Sequence, residues 1–134
     1  MTTTMLLTKS VHSPTEPGDG LRILTSRFRG RGLPRTAYDV WMPNLGPSEA
    51  SLKRWKAGGI TWKDYARAYT AELFLDGDLD ARNRTIKNHG QKFSLRLIKE
   101  LAQRETVTLL CQCAEEEQHC HRHVLQRLIL SSAV

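Results

Sequence analysis

The spacing of apolar residues along the chain predicts alternating strands and helices. Short apolar runs bounded by turn-forming residues are typical of strands, and they lie at residues 5–7, 21–25, 37–42 and 106–111. Elsewhere, apolar residues recur every three or four positions, which is the period of an amphipathic helix. The polar segment at residues 76–91 is expected to be loop-like or only partly helical.

Four helices are expected between and after these strands. Ser48 is a suitable N-cap for a first helix that ends near residue 58, and Thr61 with Asp64 resembles the capping box of a second helix. A third helix is predicted over residues 92–104, and a fourth begins near residue 120. The residues predicted to face the core are Tyr65, Tyr69 and Leu73, then Phe93, Leu97, Ile98 and Leu101, and finally Val124, Leu125, Leu128 and Ile129.

The order of these elements predicts the fold class. Helices that alternate with strands favour a mostly parallel sheet covered on both faces. A chain of 134 residues is long enough for one domain with its own core. We therefore predict a single three-layer α/β domain over residues 1–134, with a mainly parallel sheet of about four or five strands flanked by helices. Residues 1–12 are expected to be flexible or to contain a short first strand.

Composition narrows the setting in which the protein works. The chain has 20 Lys and Arg against 14 Asp and Glu, a net charge of +6 at pH 7, which favours an anionic partner without specifying nucleic acid. No apolar stretch is long enough to span a bilayer, and the N-terminus lacks the apolar segment of a signal peptide. Three cysteines cannot all pair within one chain. We therefore expect reduced thiols, a cytoplasmic location and no membrane partner.

All three cysteines lie in one window near the C-terminus. Cys111, Cys113, Cys120 and His121 form a C-x-C-x6-C-H pattern, and His123 follows two residues later. Alternation along a strand places the first two thiols on one side, and the third lies where a helix dipole favours a thiolate. The pattern is compatible with a tetrahedral zinc or iron site made of the three cysteines and one histidine. The alternatives are a reactive thiol, with Cys120 as the candidate, and three structural thiols.

A basic loop follows the second predicted strand. It carries Arg27, Arg29, Arg31 and Arg35 around two glycines. Glycines let backbone N–H groups approach an anion, and arginines bind phosphate or carboxylate with two parallel hydrogen bonds. The alternative is a solvated basic loop. If the sheet is parallel, this loop and the cysteine loop leave the same edge, and one pocket could hold both.

Three classes of function are compatible with these features. The favoured hypothesis is a small-ligand or enzyme site that binds an anionic small molecule, in which the arginines contact the anion and the cysteines supply thiolate or metal chemistry. The second is a structural or regulatory protein stabilised by zinc. The third is a basic module that contacts the phosphates of nucleic acid without sequence preference.

Several short motifs also resemble a known family. They are P-G-D-G-L-R-I-L at 17–24, R-G-L at 31–33, Y-D-V-W at 38–41, L-G-P-S at 45–48, L-K-R-W at 52–55, V-T-L-L-C-Q-C at 107–113 and C-H-R-H-V-L at 120–125. The first five are similar to the YeaO-like branch of DUF488, a family of domains of unknown function, and the last two resemble the cysteine-bearing signature of the wider family. The resemblance implies a compact α/β domain and no particular activity.

Overall fold

The computed structural model describes residues 5–77, 88–89 and 91–134 of the chain. The strands are β1 (Leu6–Ser10), β2 (Leu21–Leu24), β3 (Val40–Trp41), β4 (Asp76–Gly77), β5 (Asn88–His89) and β6 (Val107–Cys111). The α-helices are α1 (Glu49–Lys56), α2 (Trp62–Leu73), α3 (Lys92–Ala102) and α4 (His121–Leu130). Three short 3₁₀ turns precede β2, β3 and α1.

Four of the strands form one parallel sheet in the order β1-β6-β2-β3. All five residues of β6 are buried, as expected for a central strand. β3 is shorter than the predicted strand at 37–42, because Arg35–Ala37 form a 3₁₀ turn and Asp39 is bound to Arg22. The predicted α/β class and the parallel sheet are confirmed.

The polar segment at 76–91 contributes a small hairpin-like pair at its two ends. β4 and β5 pair antiparallel, with Asp76 opposite His89 and Gly77 opposite Asn88. Residues 78–87 and 90, on which the rest of the loop prediction falls, lie outside the described residues, as do residues 1–4.

Helix starts follow the capping chemistry predicted from the sequence. The Ser48 hydroxyl accepts a hydrogen bond from the Ser51 N–H at 3.2 Å, and the Thr61 hydroxyl accepts one from the Asp64 N–H at 3.2 Å. These bonds satisfy N–H groups that have no partner within the helix. No helix in the described part of the chain is long and apolar enough to cross a membrane.

The predicted inner face of α3 is wrong at two positions. Phe93 is 84% exposed and Leu97 is 62% exposed, whereas Leu95, Ile98 and Ala102 are buried. Two apolar stripes overlap on this helix, and periodicity alone does not choose between them. The contacts of α3 with β6 and α4 bury the stripe that ends in Ala102. The small side chain of this alanine allows α3 to lie close to the rest of the core.

The core lies on both faces of the sheet but is larger on one. Val107 and Leu109 of β6 pack with side chains of α2, α3 and α4, including the predicted Leu125 and Ile129. The next residue of the strand, Leu110, faces the other side, where loops and 3₁₀ turns form the covering layer. Because side chains alternate along a strand, Cys111 at the end of β6 points toward the helices.

Candidate metal centre

The three cysteines come together beyond the carboxyl end of β6. Cys111 is the last residue of the strand, Cys113 follows in the loop, and Cys120 is the N-cap residue of α4. Their sulfur atoms all lie within 4.8 Å of one another, and those of Cys111 and Cys120 are 2.7 Å apart. Cys111 and Cys120 are buried and Cys113 is half-buried. Three soft ligand atoms this close can hold a metal ion.

The cysteine loop is fixed by hydrogen bonds to the loops that follow the neighbouring strands. The Gln112 side-chain amide donates to the Arg29 carbonyl at 2.5 Å, in the loop after β2. The Glu115 carboxylate accepts from the Ser10 N–H at 3.1 Å and from the Ser13 hydroxyl at 2.6 Å, at the end of β1. Glu115 therefore fixes the position of the loop, although the acidic residues next to it in the sequence suggest only a solvated segment.

A buried arginine that the sequence analysis missed lies beside the sulfur atoms. The Arg122 side chain is fully buried, and its Nη1 is 3.4 Å from the Cys111 sulfur. Its Nη2 donates to the carbonyls of Ala114 and Glu115, and the Glu115 carboxylate is 4.0 Å away. Arg122 lies on the stripe of α4 that also carries Leu125 and Ile129. A charged residue on an apolar helix face is therefore the sequence feature that could have identified Arg122 as buried.

His121 lies next to the cluster, and a hydrogen bond to a backbone carbonyl orients its imidazole ring. Its Nε2 lies 3.0 Å from the Thr25 carbonyl, which can only accept, so Nε2 carries the proton. Its Nδ1 therefore presents a lone pair, 3.9 Å from the Cys120 sulfur. Burial lowers the pKa of His121 to about 4, which keeps the ring neutral. A backbone carbonyl that binds the second ring nitrogen is typical of metal-binding histidines.

His123, the other histidine predicted as a ligand, is held elsewhere. Its Nε2 is 3.1 Å from the Glu117 carbonyl on the exposed side of the loop. Among the described residues, the group of ligand atoms close enough to share an ion consists of the three cysteines, with neither His121 nor His123 in it, although the His121 ring contacts the Cys120 sulfur. The structure thus brings His121 to the cluster and leaves His123 at its margin.

The three thiols are electrostatically coupled. Hydrogen bonds from Cys111 and then Cys120 lower the pKa of the Cys113 thiol. The same sharing raises the pKa of Cys111 and of Cys120, because each donates toward a sulfur that already carries the charge. Of the three thiols, Cys113 is therefore the one that ionises most readily.

A pocket of about 200 Å³ opens beside the sulfur atoms. Its lining residues are Leu52, Trp55, Lys56, Tyr65, Cys113, Glu117, His119, Cys120 and His121. Two of the three thiols thus reach the pocket, and Cys111 lies behind them. The imidazole of His119 stacks on Trp62, with ring centroids 4.7 Å apart and planes 12° apart. The site is a small concave space with sulfur on one side and aromatic rings on another.

Comparison with known proteins identifies the family. The chain matches the sequence profile of DUF488-N3a, described as the active DUF488-N3 subclade, over residues 6–133. The chain belongs to the DUF488 family. It is also similar to YeaO of Escherichia coli (strain K12), an uncharacterised protein, with 34% identity over 67 residues. That match covers 48% of this chain and 58% of YeaO. No solved structure matches the chain.

The basic loop of this DUF488 domain reaches the cysteine loop through its backbone, but its arginine side chains go elsewhere. Arg27 is buried and its Nε donates to the Pro47 carbonyl at 3.2 Å. Arg29 donates to the Tyr38 hydroxyl at 2.6 Å and to the Leu33 carbonyl. Arg31 and Arg35 are exposed. None of the four lines the pocket beside the cysteines, and their role as anion ligands stays a prediction.

Proposed function

We propose that this protein binds one zinc ion through Cys111, Cys113 and Cys120, and that the ion is the centre of a ligand-binding or enzymatic site for a small molecule. The observation that supports this most directly is the convergence of three sulfur atoms within 4.8 Å at the wall of a pocket. Two of the sulfurs line that pocket, which makes it the natural approach for a ligand.

The donor set favours zinc over iron. Thiolates are soft ligands that suit Zn²⁺, and three protein ligands with one open position are typical of catalytic zinc sites. Iron–sulfur clusters are usually held by four cysteines, and this sequence contains three in total. A zinc ion with an open position would supply Lewis-acid chemistry to a bound substrate.

The charge of the surrounding protein also fits this assignment. Three thiolates and one Zn²⁺ carry a net charge of −1, and the guanidinium of Arg122 lies 3.4 Å from one of the sulfurs. A fully buried cation is costly unless negative charge lies near it. The Nε of Arg122 is also buried, without a hydrogen-bond partner among the described residues. The Glu115 carboxylate, 4.0 Å from Nη2 but half exposed, balances part of this charge, and an anionic cluster would add to that balance from the buried side.

A zinc site with a structural role is the second candidate, and His121 is the observation that favours it. Its Nδ1 lone pair lies 3.9 Å from the Cys120 sulfur, and its other nitrogen is anchored by Thr25. A small rotation would let it close the site as a fourth ligand, which is the arrangement of structural zinc. The two candidates therefore differ in one measurable property, the presence of an open coordination position.

The ligand of the favoured site is proposed to carry an anionic group. Arg31 and Arg35 are exposed; Arg31 lies in the loop that leaves the carboxyl end of β2, at the same edge of the sheet as the cysteines, and Arg35 lies in the 3₁₀ turn before β3. The backbone of their loop meets the cysteine loop at Gln112. These two arginines, rather than Arg27 and Arg29, are therefore the ones available to an incoming anion.

Metal analysis of purified protein tests both candidates. We expect about one equivalent of zinc in the wild type by inductively coupled plasma mass spectrometry, and its loss in Cys113→Ser, which removes one of the three sulfurs. His12→Gln is the matched control for His121→Gln, because His12 is exposed and belongs neither to the cluster of ligand atoms nor to the lining of the pocket. Retention of zinc in His121→Gln supports the open site. Loss of zinc in that variant, with unfolding by chelator, supports the structural site.

A contrary result is equally clear. If the wild type holds no zinc after growth in zinc-supplemented medium and after reconstitution, and its three thiols react freely in the folded protein, the metal proposal is wrong.

A further inference from the structure

The pocket beside the cysteines has a wall of aromatic rings. Trp55, Tyr65 and His119 line it, and Trp62 packs directly behind His119. Neither tryptophan belongs to the two apolar clusters that form the core. Trp55 and Trp62 are only half-buried and His119 is exposed, whereas Tyr65 is 2% exposed and is part of the interior. Trp55 and His119 are therefore the lining rings that have surface left to contact a ligand.

The rings of this wall present both of the arrangements that aromatic side chains use to bind other rings. The planes of Trp55 and Tyr65 are 25° apart with centroids separated by 5.6 Å, which is close to offset stacking. The planes of Trp55 and His119 are 69° apart at 5.9 Å, which is close to edge-to-face. Ring faces and edges carry opposite partial charges, so a flat aromatic ligand finds complementary surfaces here.

The dimensions and the rim of the pocket restrict the ligand further. A volume of about 200 Å³ is below the range of roughly 300–1,000 Å³ typical of sites for drug-sized ligands, so the ligand has one or two rings. Lys56 and Glu117 supply one charge of each sign among the lining residues. Polar substituents on the ring can therefore be bound without entering the aromatic wall.

We propose that this pocket selects a small planar heteroaromatic compound, held against Trp55 and His119 with its edge toward Cys113 and Cys120. This inference names the ligand class of the site described under the proposed function, and it rests on that function. It requires that the pocket distinguish a flat ring from a saturated ring of similar size.

The probes are 1-phenylimidazole and 1-cyclohexylimidazole, which carry the same imidazole nitrogen and differ in the flatness of the second ring. Any bond to zinc is common to both. Binding is followed in full-length, zinc-loaded, ¹⁵N-labelled protein through the indole N–H signals of its three tryptophans. Trp41 serves as an internal control, because its Nε1 donates to the Ser26 carbonyl and it does not line the pocket.

We expect 1-phenylimidazole to shift the Trp55 signal with saturation, to leave the Trp41 signal in place, and to bind at least tenfold more tightly than the cyclohexyl compound. We expect Trp55→Leu to weaken this binding at least tenfold, and Trp41→Leu, the matched control, to leave it unchanged. The amide spectrum of each variant reports whether it is folded. The comparison of the two probes on the wild type does not depend on either variant.

Equal affinity for the two probes overturns the proposal, since a merely apolar pocket would accept the saturated ring as readily. Absence of a saturable shift in zinc-loaded protein also overturns it, and the zinc site then survives alone. If the protein holds no zinc but the phenyl compound still shifts Trp55 selectively, the aromatic site stands and the zinc proposal fails.

Discussion

Replacement of Arg122 by methionine tests whether the sulfur cluster carries negative charge. Methionine fills a similar volume without charge, so the change removes the cation and leaves the packing largely intact. The side chain has no solvent exposure and lies 3.4 Å from the Cys111 sulfur. Its other charged neighbour in the described part of the chain, the Glu115 carboxylate at 4.0 Å, is half exposed, so a large effect depends on the charge of the cysteines.

The magnitude follows from the contacts that are lost. Arg122 also donates to the Ala114 and Glu115 carbonyls, but both residues are exposed, so water can replace those bonds at about 1 kcal/mol each or less. Removal of one partner from a buried charge pair costs about 3–5 kcal/mol. If the cluster is anionic, we expect the free energy of unfolding to fall by that amount. If the thiols are neutral, the ion pair lost is the one with the half-exposed Glu115 carboxylate, which is worth about 1 kcal/mol or less, and removal of the buried cation is neutral, or stabilising by about 1–4 kcal/mol.

Urea unfolding followed by tryptophan fluorescence measures the difference. With a slope of about 1–3 kcal/mol per molar urea, a loss of 3 kcal/mol lowers the midpoint by roughly 1–3 M. Arg127→Met is the matched control, because Arg127 lies on the exposed side of the same helix, and we expect a change within about 0.5 kcal/mol. A midpoint for Arg122→Met that equals or exceeds that of the wild type would refute the argument for an anionic cluster.

Three further predictions concern the fold. Leu125→Ala should cost about 2–5 kcal/mol in thermal unfolding because the side chain is fully buried, while Leu130→Ala, at a residue that is 47% exposed, should cost far less. Asp39→Asn should cost at most about 1 kcal/mol. The Arg22 guanidinium lowers the pKa of Asp39, so this difference should be present above pH 4 and disappear as pH falls through the lowered pKa; a difference that persists in acid contradicts it. Gly46→Ala should cost about 1–3 kcal/mol in urea unfolding, because a Cβ would lie 2.4 Å from a backbone nitrogen.

The sequence predicts the framework well because local chemistry and global fold agree there. The caps at Ser48 and Thr61 are local hydrogen bonds, and the buried strand at 106–111 is a continuous apolar run, so both can be inferred without tertiary contacts. The inner face of α3 is different, because Phe93 and Leu97 form as good a stripe as the residues that are buried. Only the position of the sheet and of α4 decides between them.

The clustering of the cysteines was predictable from the sequence, and the surroundings of the cluster were not. The end of the buried strand places Cys111, Cys113 follows two residues later in the loop, and the capping position of Cys120 follows from the start of α4. The aromatic wall was not foreseen, since Trp55 and Trp62 lie on two helices whose packing angle no local pattern specifies. Side-chain directions in the arginine loop are equally non-local, because they depend on partners that the loop meets only after folding.

The parallel topology explains why the cysteine loop is fixed on both sides. β6 is central and both of its neighbours run parallel to it, so the loops after β1 and β2 leave the same edge as the cysteines. Each supplies a bond to the cysteine segment: Glu115 accepts from the Ser10 N–H, and His121 binds the Thr25 carbonyl. A ligand that moves the cluster must therefore disturb the ends of two neighbouring strands. This coupling favours a site in which the ends of the neighbouring strands hold the three sulfur atoms close together.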